Sequence, residues 1–392
     1  MDDVLIVGGG IGGLVAAVSL GDAGFTVRVV EAVPEIKPLG VGINLLPHAV
    51  RELDELGLLD VLLANGVAPR ELVYCTKRGE RIWSEARGIE AGYRWPQVSI
   101  HRGALHALLL DAVRSRRIPV ETGHRVTAVD GSEARVVVGA DGIHSAVRAQ
   151  LHPGEGPPKW NGARLWRGLA EVEPFLDGRT MVWAGHPRQK FVTYPIGPHT
   201  VNLIAELRFD VTDVGEWDWT KPGDLADVLP AFESWDFGWL DCPSLLKATS
   251  GTYVYPMVDR DPLPRWSFGN ITLLGDAAHP MYPIGSNGAS QAILDARVLT
   301  GCLLSHDDVE TALTAYDHAR REATGAIVLA NRGLGPEEPM AIVEDRAPDG
   351  FDALADVISD DELAAFAERY KQLAGFSMAE LNDRPSLATA HY

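Results

Sequence analysis

Three glycine-marked turns hold the residues best placed to do chemistry. The first is Gly8-Gly9-Gly10-Ile11-Gly12-Gly13, which has the GxGxxG spacing. Gly8 allows a tight turn, Gly10 lets backbone approach a pyrophosphate, and Gly13 lets a helix pack close to a strand. Ile11 and Gly12 open that helix, whose free N–H groups and partial positive charge suit phosphates. Glu31 and Ala32 follow the next β-rich run. A carboxylate there can accept hydrogen bonds from a ribose diol and repels a 2′-phosphate. The chemistry is dinucleotide binding, with FAD or NAD preferred to NADP.

The second turn lies in Val138–Arg148, a strand end followed by Asp141-Gly142 and a helix start. The third lies in Thr272–Pro280, a buried strand ending at Gly275-Asp276. A glycine-rich loop, Pro283 to Ala289, then opens a long helix with Gly285, Asn287, Gly288 and Ala289 at its mouth. Taken singly, the second reads equally well as an ordinary turn with an Asp cap, and the third as an ordinary strand-to-loop turn. His144 and Ser145 form no hydrolase set, because no nucleophile elbow surrounds them.

The elements that must position these turns can be read from periodicity. Asp3–Val7, Gly12–Ala23 and Thr26–Val30 form a strand–helix–strand unit. His48–Leu56 reads as a helix stopped by Gly57, Leu72–Ser84 as a hairpin turning near Arg78-Gly79, and Leu105–Arg114 as a helix. From Trp160 to Trp266 the chain is rich in tryptophan and alternating patterns, which predicts an antiparallel sheet. Helices are expected over Gly288–Leu304, Glu310–Ala330 and Asp360–Leu373. The fold class is α/β. A Rossmann-like cofactor domain (residues 1–70, 96–155 and 265–335) is interleaved with an antiparallel-sheet substrate domain (71–95 and 156–264). A helical tail covers 336–392.

The 392 residues are too many for one small core and carry a formal charge of −19. That charge disfavours nucleic acid and anionic membranes as partners. No apolar run reaches the roughly 18 residues of a membrane span. The start lacks the basic residues of a secretory signal, so a cytoplasmic home is expected. Cys75, Cys242 and Cys302 are too scattered for a disulfide framework or a metal site.

Taken together and in this order, the three turns resemble the FAD-dependent aromatic hydroxylases, the group typified by 4-hydroxybenzoate hydroxylase. The likeness is closest to the phenazine hydroxylase branch. It rests also on Leu39–Asn44, Ser99–Gly103, Trp166–Gly168, Tyr255–Pro264 and Gly288–Asp295. The resemblance implies an FAD-dependent monooxygenase. It would consume NADH or NADPH and O2 and hydroxylate a small aromatic or heteroaromatic ring through a flavin hydroperoxide. A flavin-dependent oxidase, reductase or epoxidase is the alternative on the same scaffold. Carried over, Asp141 and Gly142 are the family's Asp-Gly pair, Asp276 the ribityl ligand, and Arg102 the arginine near the ribityl and phosphate. The implied FAD set is Gly8, Gly10, Ile11, Gly12, Gly13, Glu31, Ala32, Gly42, Arg102, Val126, Asp141, Gly142, Asp276, Gly285, Asn287, Gly288 and Ala289. Trp166, Tyr194, Tyr255, Met281 and Tyr282 are the expected substrate walls, although burial tendency alone puts most tryptophans in the core. No catalytic base stands out among His48, His186, His199 and His279. The family usually carries an extended hairpin before the Asp-Gly pair, and here only Ala128–Val137 remains. The chain is expected to work as a monomer or homodimer.

Overall fold

The computed structural model of the protein describes residues 2–35, 40–210 and 222–389. Leu39, most of the loop before Gly40 and the stretch 211–221 lie outside the described residues. In chain order the strands are β1 Val4–Val7, β2 Val27–Val30, β3 Gly42–Leu45, β4 Gly66–Val67, β5 Glu71–Cys75, β6 Arg81–Ala86, β7 Val98–His101, β8 Val120–Glu121 and β9 Val136–Gly139. Then come β10 Lys159–Glu171, β11 Thr180–His186, β12 Gln189–Pro195, β13 Thr200–Arg208, β14 Pro222–Gly223, β15 Thr249–Asp259 and β16 Ile271–Leu273. The helices that bear on the site are α1 Ile11–Asp22, α2 Arg102–Ser115, α3 Ala146–Leu151, α4 Gly288–Ser305, α5 Val309–Arg332 and α6 Asp360–Leu373.

Short β-branched runs (VLIV, VRVV, VVVG) are what a strand covered on both faces requires. They form a parallel sheet in the order β16-β9-β1-β2-β8. Helix α1 lies against α4, where the hydroxyls of Ser19 and Thr300 meet at 2.8 Å. Strands β1, β9 and β16 end side by side: Ala140 N donates to Val7 O at 2.7 Å, and Leu274 N to Gly139 O at 2.9 Å. The three glycine turns therefore emerge from one sheet edge, at the carboxyl ends of its strands, where α/β sheets place ligands.

The second sheet has eight strands in the order β14-β15-β10-β13-β12-β11-β5-β6. Its pairings are antiparallel except β11 with β5, which is parallel. The chain between β5 and β11 is long enough to return in the same direction, which a hairpin cannot do. Side chains alternate across this sheet. Val73, Trp166, Val182, Phe191 and Leu203 pack on the outer layer with Phe232, Trp235 and Leu246. Leu165, Arg167, Trp183, Tyr194, Ile204 and Glu206 face a cavity on the other side. Strands β3, β7 and β4 make a third, small sheet.

The tail covers part of the cavity face. Met340, Val343, Ile358 and Leu363 pack on Leu72, Tyr74, Met181 and Trp183. Helix α6 starts at a capping box made by Ser359 and Glu362. Before the Asp-Gly pair, residues 122–135 contain no strand. Asn270 Nδ2 donates to the carbonyls of Gly131, Ala134 and Arg135 and closes the segment as a turn. Among the described residues no helix is long and apolar enough to cross a membrane, and no acidic, His or Cys cluster could hold a metal ion.

Candidate active site

The glycines of the first turn are set by contact distances. Gly8 has φ +110°, and a Cβ on it would lie 2.3 Å from the Ala140 carbonyl oxygen. A Cβ on Gly13 would lie 2.0 Å from Gly8 O, so only glycine lets α1 sit this close to β1. Among the described residues nothing lies within 4 Å of a Cβ built on Gly10, which opens onto the cavity with Ile11 and Gly12. Gly10 is the N-cap of α1 and offers no side-chain cap. The first N–H groups of the helix thus face open space, a ready anion site. Glu31 accepts from Gly9 N at 2.7 Å and from Val33 N at 2.9 Å, tying the turn to the end of β2. Ala32 follows it and is half-buried, while Val126 packs against the core beside the adjoining turn.

Asp141 and Gly142 divide their roles. The Asp141 carboxylate accepts from Ala146 N at 2.7 Å, from Val147 N at 3.3 Å and from the Ser145 hydroxyl, so it caps α3. Gly142, at φ +78°, presents backbone to the cavity. Arg148 on α3 donates to the carbonyls of Ala277 and Ala278 at 3.0 and 2.8 Å and pairs with Glu155. It locks the second turn to the third.

The third turn is held from beneath by Asp295 on α4. Its carboxylate accepts from Gly275 N at 3.0 Å, His279 Nε2 at 2.5 Å and Arg320 Nε at 2.7 Å. Burial pushes the Asp295 pKa up, but the charges and hydrogen bonds of His279 and Arg320 outweigh it and hold it at about 2. Asp276 itself is reached by solvent through the cavity. Its surroundings are protein, and that desolvation raises its pKa against the opposing pull of His279 and Arg102. Arg102 begins α2, after a His101 N-cap, and lines the cavity with Asp276.

The glycine-rich loop is clamped from the tail. Gly285 has φ +70°, Ser286 has φ +59°, and a Cβ on Gly285 would lie 2.1 Å from the Tyr370 hydroxyl. That hydroxyl, on α6, accepts from Asn287 Nδ2 at 2.8 Å and donates to Asn331 Oδ1 at 2.9 Å. Ser286, Asn287, Gly288 and Ala289 line the cavity, and α4 starts there without a side-chain cap.

The cavity, about 360 Å³, lies between these turns and the large sheet. Of the expected walls, Tyr194, Met281 and Tyr282 line it. Trp166 does not: strand alternation turns it into the outer core with Phe209 and sends Leu165 and Arg167 inward. Tyr255 pairs with Leu165 across the strands but stands outside the lining. None of the four histidines lines the cavity. His48 is buried against Phe376, His199 is exposed beside Glu173, His186 is half-buried, and His279 serves Asp295. Arg167, Trp183, Glu206 and Glu337 do line it, and sequence reading missed them. Alternation could have flagged the first three, but which face of a strand looks inward depends on distant strands.

Comparison with known proteins fits this geometry. A family described as an FAD binding domain matches residues 1–330. The chain is 45% identical to a phenazine 1,6-dicarboxylic acid hydroxylase of Lysobacter antibioticus, covering 91% of this chain and 95% of that one. It is 32% identical to a 6-hydroxynicotinate 3-monooxygenase of Bordetella bronchiseptica, covering 83% and 89%. Among solved structures, Klebsiella pneumoniae HpxO complexed with FAD and uric acid superposes with a TM-score of 0.75 at 22% identity, over 95% of this chain and 96% of that one. By this match the chain belongs to the FAD-dependent aromatic hydroxylases.

Proposed function

We propose that the cavity holds FAD and that this monooxygenase hydroxylates a heteroaromatic carboxylate of the phenazine type. The convergence of three glycine turns on one cavity, closed on its other side by a sheet, carries the reading. In it, Gly8 to Gly13 receive the pyrophosphate at the N-terminus of α1. Glu31, Ala32 and Val126 flank the adenosine half. Arg102, Asp141, Gly142 and Asp276 frame the ribityl and phosphate region. Gly42 and the loop Gly285 to Ala289 face the ring system. The cofactor unit is residues 1–70, 96–155 and 265–335, the substrate unit 71–95 and 156–264, and the tail 336–392.

When bound, FAD supplies the redox chemistry: it takes a hydride from NADH or NADPH and activates O2 for transfer of one oxygen atom to the ring. The protein positions and shields. The uncapped N-terminus of α4 offers N–H groups to the cavity that would stabilise negative charge on a bound flavin. Leu165, Trp183, Val192 and Ile204 on the large sheet supply apolar surface that limits water. The match to the phenazine dicarboxylate hydroxylase supports the substrate class. A cytoplasmic monomer or homodimer fits this use of NAD(P)H.

The purified protein is expected to show flavin absorption bands. NADH or NADPH oxidation under air should rise on adding phenazine-1-carboxylate, with oxygen appearing in the product. No flavin bands after adding FAD would sink the cofactor assignment. Flavin bands with no response to any ring carboxylate would sink the substrate class. A Tyr370→Phe variant should lose about 1–3 kcal/mol of stability, because Asn287 and Asn331 lose a buried partner. A lower thermal midpoint and faster FAD release would report it.

A further inference from the structure

The large sheet brings a base and an acid to one wall of the cavity. Register places four side chains in a square on the large sheet. Leu165 opposes Glu206, and Arg167 opposes Ile204. All four line the cavity. The base and the acid therefore occupy opposite corners, roughly 7 Å apart at Cβ. Leucine and isoleucine fill the other two corners. A flat ring laid over the two apolar side chains would have one polar end toward each charged corner.

Both corners keep unused hydrogen-bonding atoms. Arg167 donates from Nη2 to Gly42 O at 2.9 Å, and its buried Nε has no hydrogen-bond partner among the described residues. Glu206 Oε2 accepts from Lys190 Nζ at 3.0 Å, while its buried Oε1 has no hydrogen-bond partner among the described residues. Lys190 also pairs with Glu337, which the tail delivers to the cavity wall. Lys190, Glu206 and Glu337 are only 3%, 4% and 6% exposed. Two carboxylates thus share one ammonium in a desolvated wall. An unbalanced buried charge is costly and is relieved by taking up a proton. Burial raises the Glu206 pKa; Lys190 opposes this, repulsion from Glu337 adds to it, and Arg208 on the same strand opposes it more weakly. A proton on Glu206 would sit on Oε1, the oxygen that Lys190 does not hold.

We propose that Glu206 is a substrate-recognition residue that donates a hydrogen bond from Oε1 to a ring nitrogen of a heteroaromatic carboxylate whose carboxylate faces Arg167. The assignment rests on the monooxygenase reading and deepens it. It selects rings that carry an acceptor atom in the plane, at the far side from the carboxylate. Glutamine at position 206 would keep a donor, whereas leucine would keep the bulk and lose it. Lys190 retains Glu337 in either variant, so the wall keeps a counter-ion.

The test uses the FAD-loaded enzyme and two probes of the same shape, phenazine-1-carboxylate and anthracene-1-carboxylate. Dissociation constants come from the change in flavin absorption on titration, with flavin content measured for each variant. Wild type should bind the phenazine about tenfold tighter. Glu206→Leu should erase that preference by weakening the phenazine alone, and Glu206→Gln should keep most of it. A purely structural role would weaken both probes together and leave their ratio unchanged. A preference that survives in Glu206→Leu, or is absent from wild type, overturns the proposal and leaves the monooxygenase reading intact. If neither probe perturbs the flavin nor stimulates NADH oxidation in wild type, the substrate class fails and the proposal fails with it.

Discussion

Replacing Gly13 with alanine is expected to strip the protein of its flavin. The new methyl would stand 2.0 Å from the Gly8 carbonyl oxygen and 3.3 Å from Ile6 Cγ2. The first obstacle is backbone, and it belongs to the phosphate turn itself. Relief requires α1 to move away from β1, which carries Gly10, Ile11 and Gly12 out of place together. Overpacking of this kind costs about 1–3 kcal/mol of stability. The loss of binding should be larger, because every N–H aimed at the pyrophosphate shifts at once. The ratio of flavin to protein absorbance after purification measures it. A Gly13→Ala protein as yellow as wild type would contradict the close helix–strand contact. Gly10→Ala is the contrasting control: its methyl meets no protein atom within 4 Å, so it should fold normally and weaken FAD alone.

Asp295→Asn should be the most destabilising of the conservative changes near the site. Asp295 is fully buried and balances Arg320 while holding Gly275 N and His279. Without its charge, Arg320 keeps Gln291 as its one other side-chain partner among the described residues. Removing one partner of a buried ion pair costs about 3–5 kcal/mol. The pH dependence has a defined sign. The folded pKa, about 2, lies below the ordinary 3.8, so the ion pair contributes fully above 3.8 and is lost as pH falls through about 2. The gap in stability between wild type and Asp295→Asn should therefore narrow between pH 4 and pH 2. A gap that stays constant over that window would show that the carboxylate charge is not the source. Looser FAD binding should accompany the change, since Asp276 rides on the same turn.

What could be read in advance follows from the range of the interactions involved. The glycine turns, α1 and the helix Asp360–Leu373 are set by neighbours in sequence, and their spacing announces them. Asp141 shows how a correct motif can mislead about a side chain: the turn is at the cavity, but the carboxylate caps α3 while Gly142 faces inward. Trp166 drew notice by its size, yet the alternation of β10 sends its neighbours Leu165 and Arg167 inward instead. Lys190 and Glu206 face each other across the hairpin of β12 and β13, but Glu337 joins them from the tail, far off in sequence. No local pattern states that meeting. The parallel pairing of β5 with β11 was hidden for the same reason.

The Tyr370 clamp also sets an order of assembly. Strand β16 joins the edge of the parallel sheet, beside β9, only after the other four strands have been made, and the Gly285 loop follows it directly. The hydroxyl that pins that loop lies later still, on α6. During synthesis the loop must therefore exist for a time without its fastener, on a sheet of slow, long-range pairings. A chain emerging from the ribosome could gather its early strands, but its ring-facing loop would stay unlatched until α6 docks. Cofactor capture is thereby coupled in time to the docking of α6.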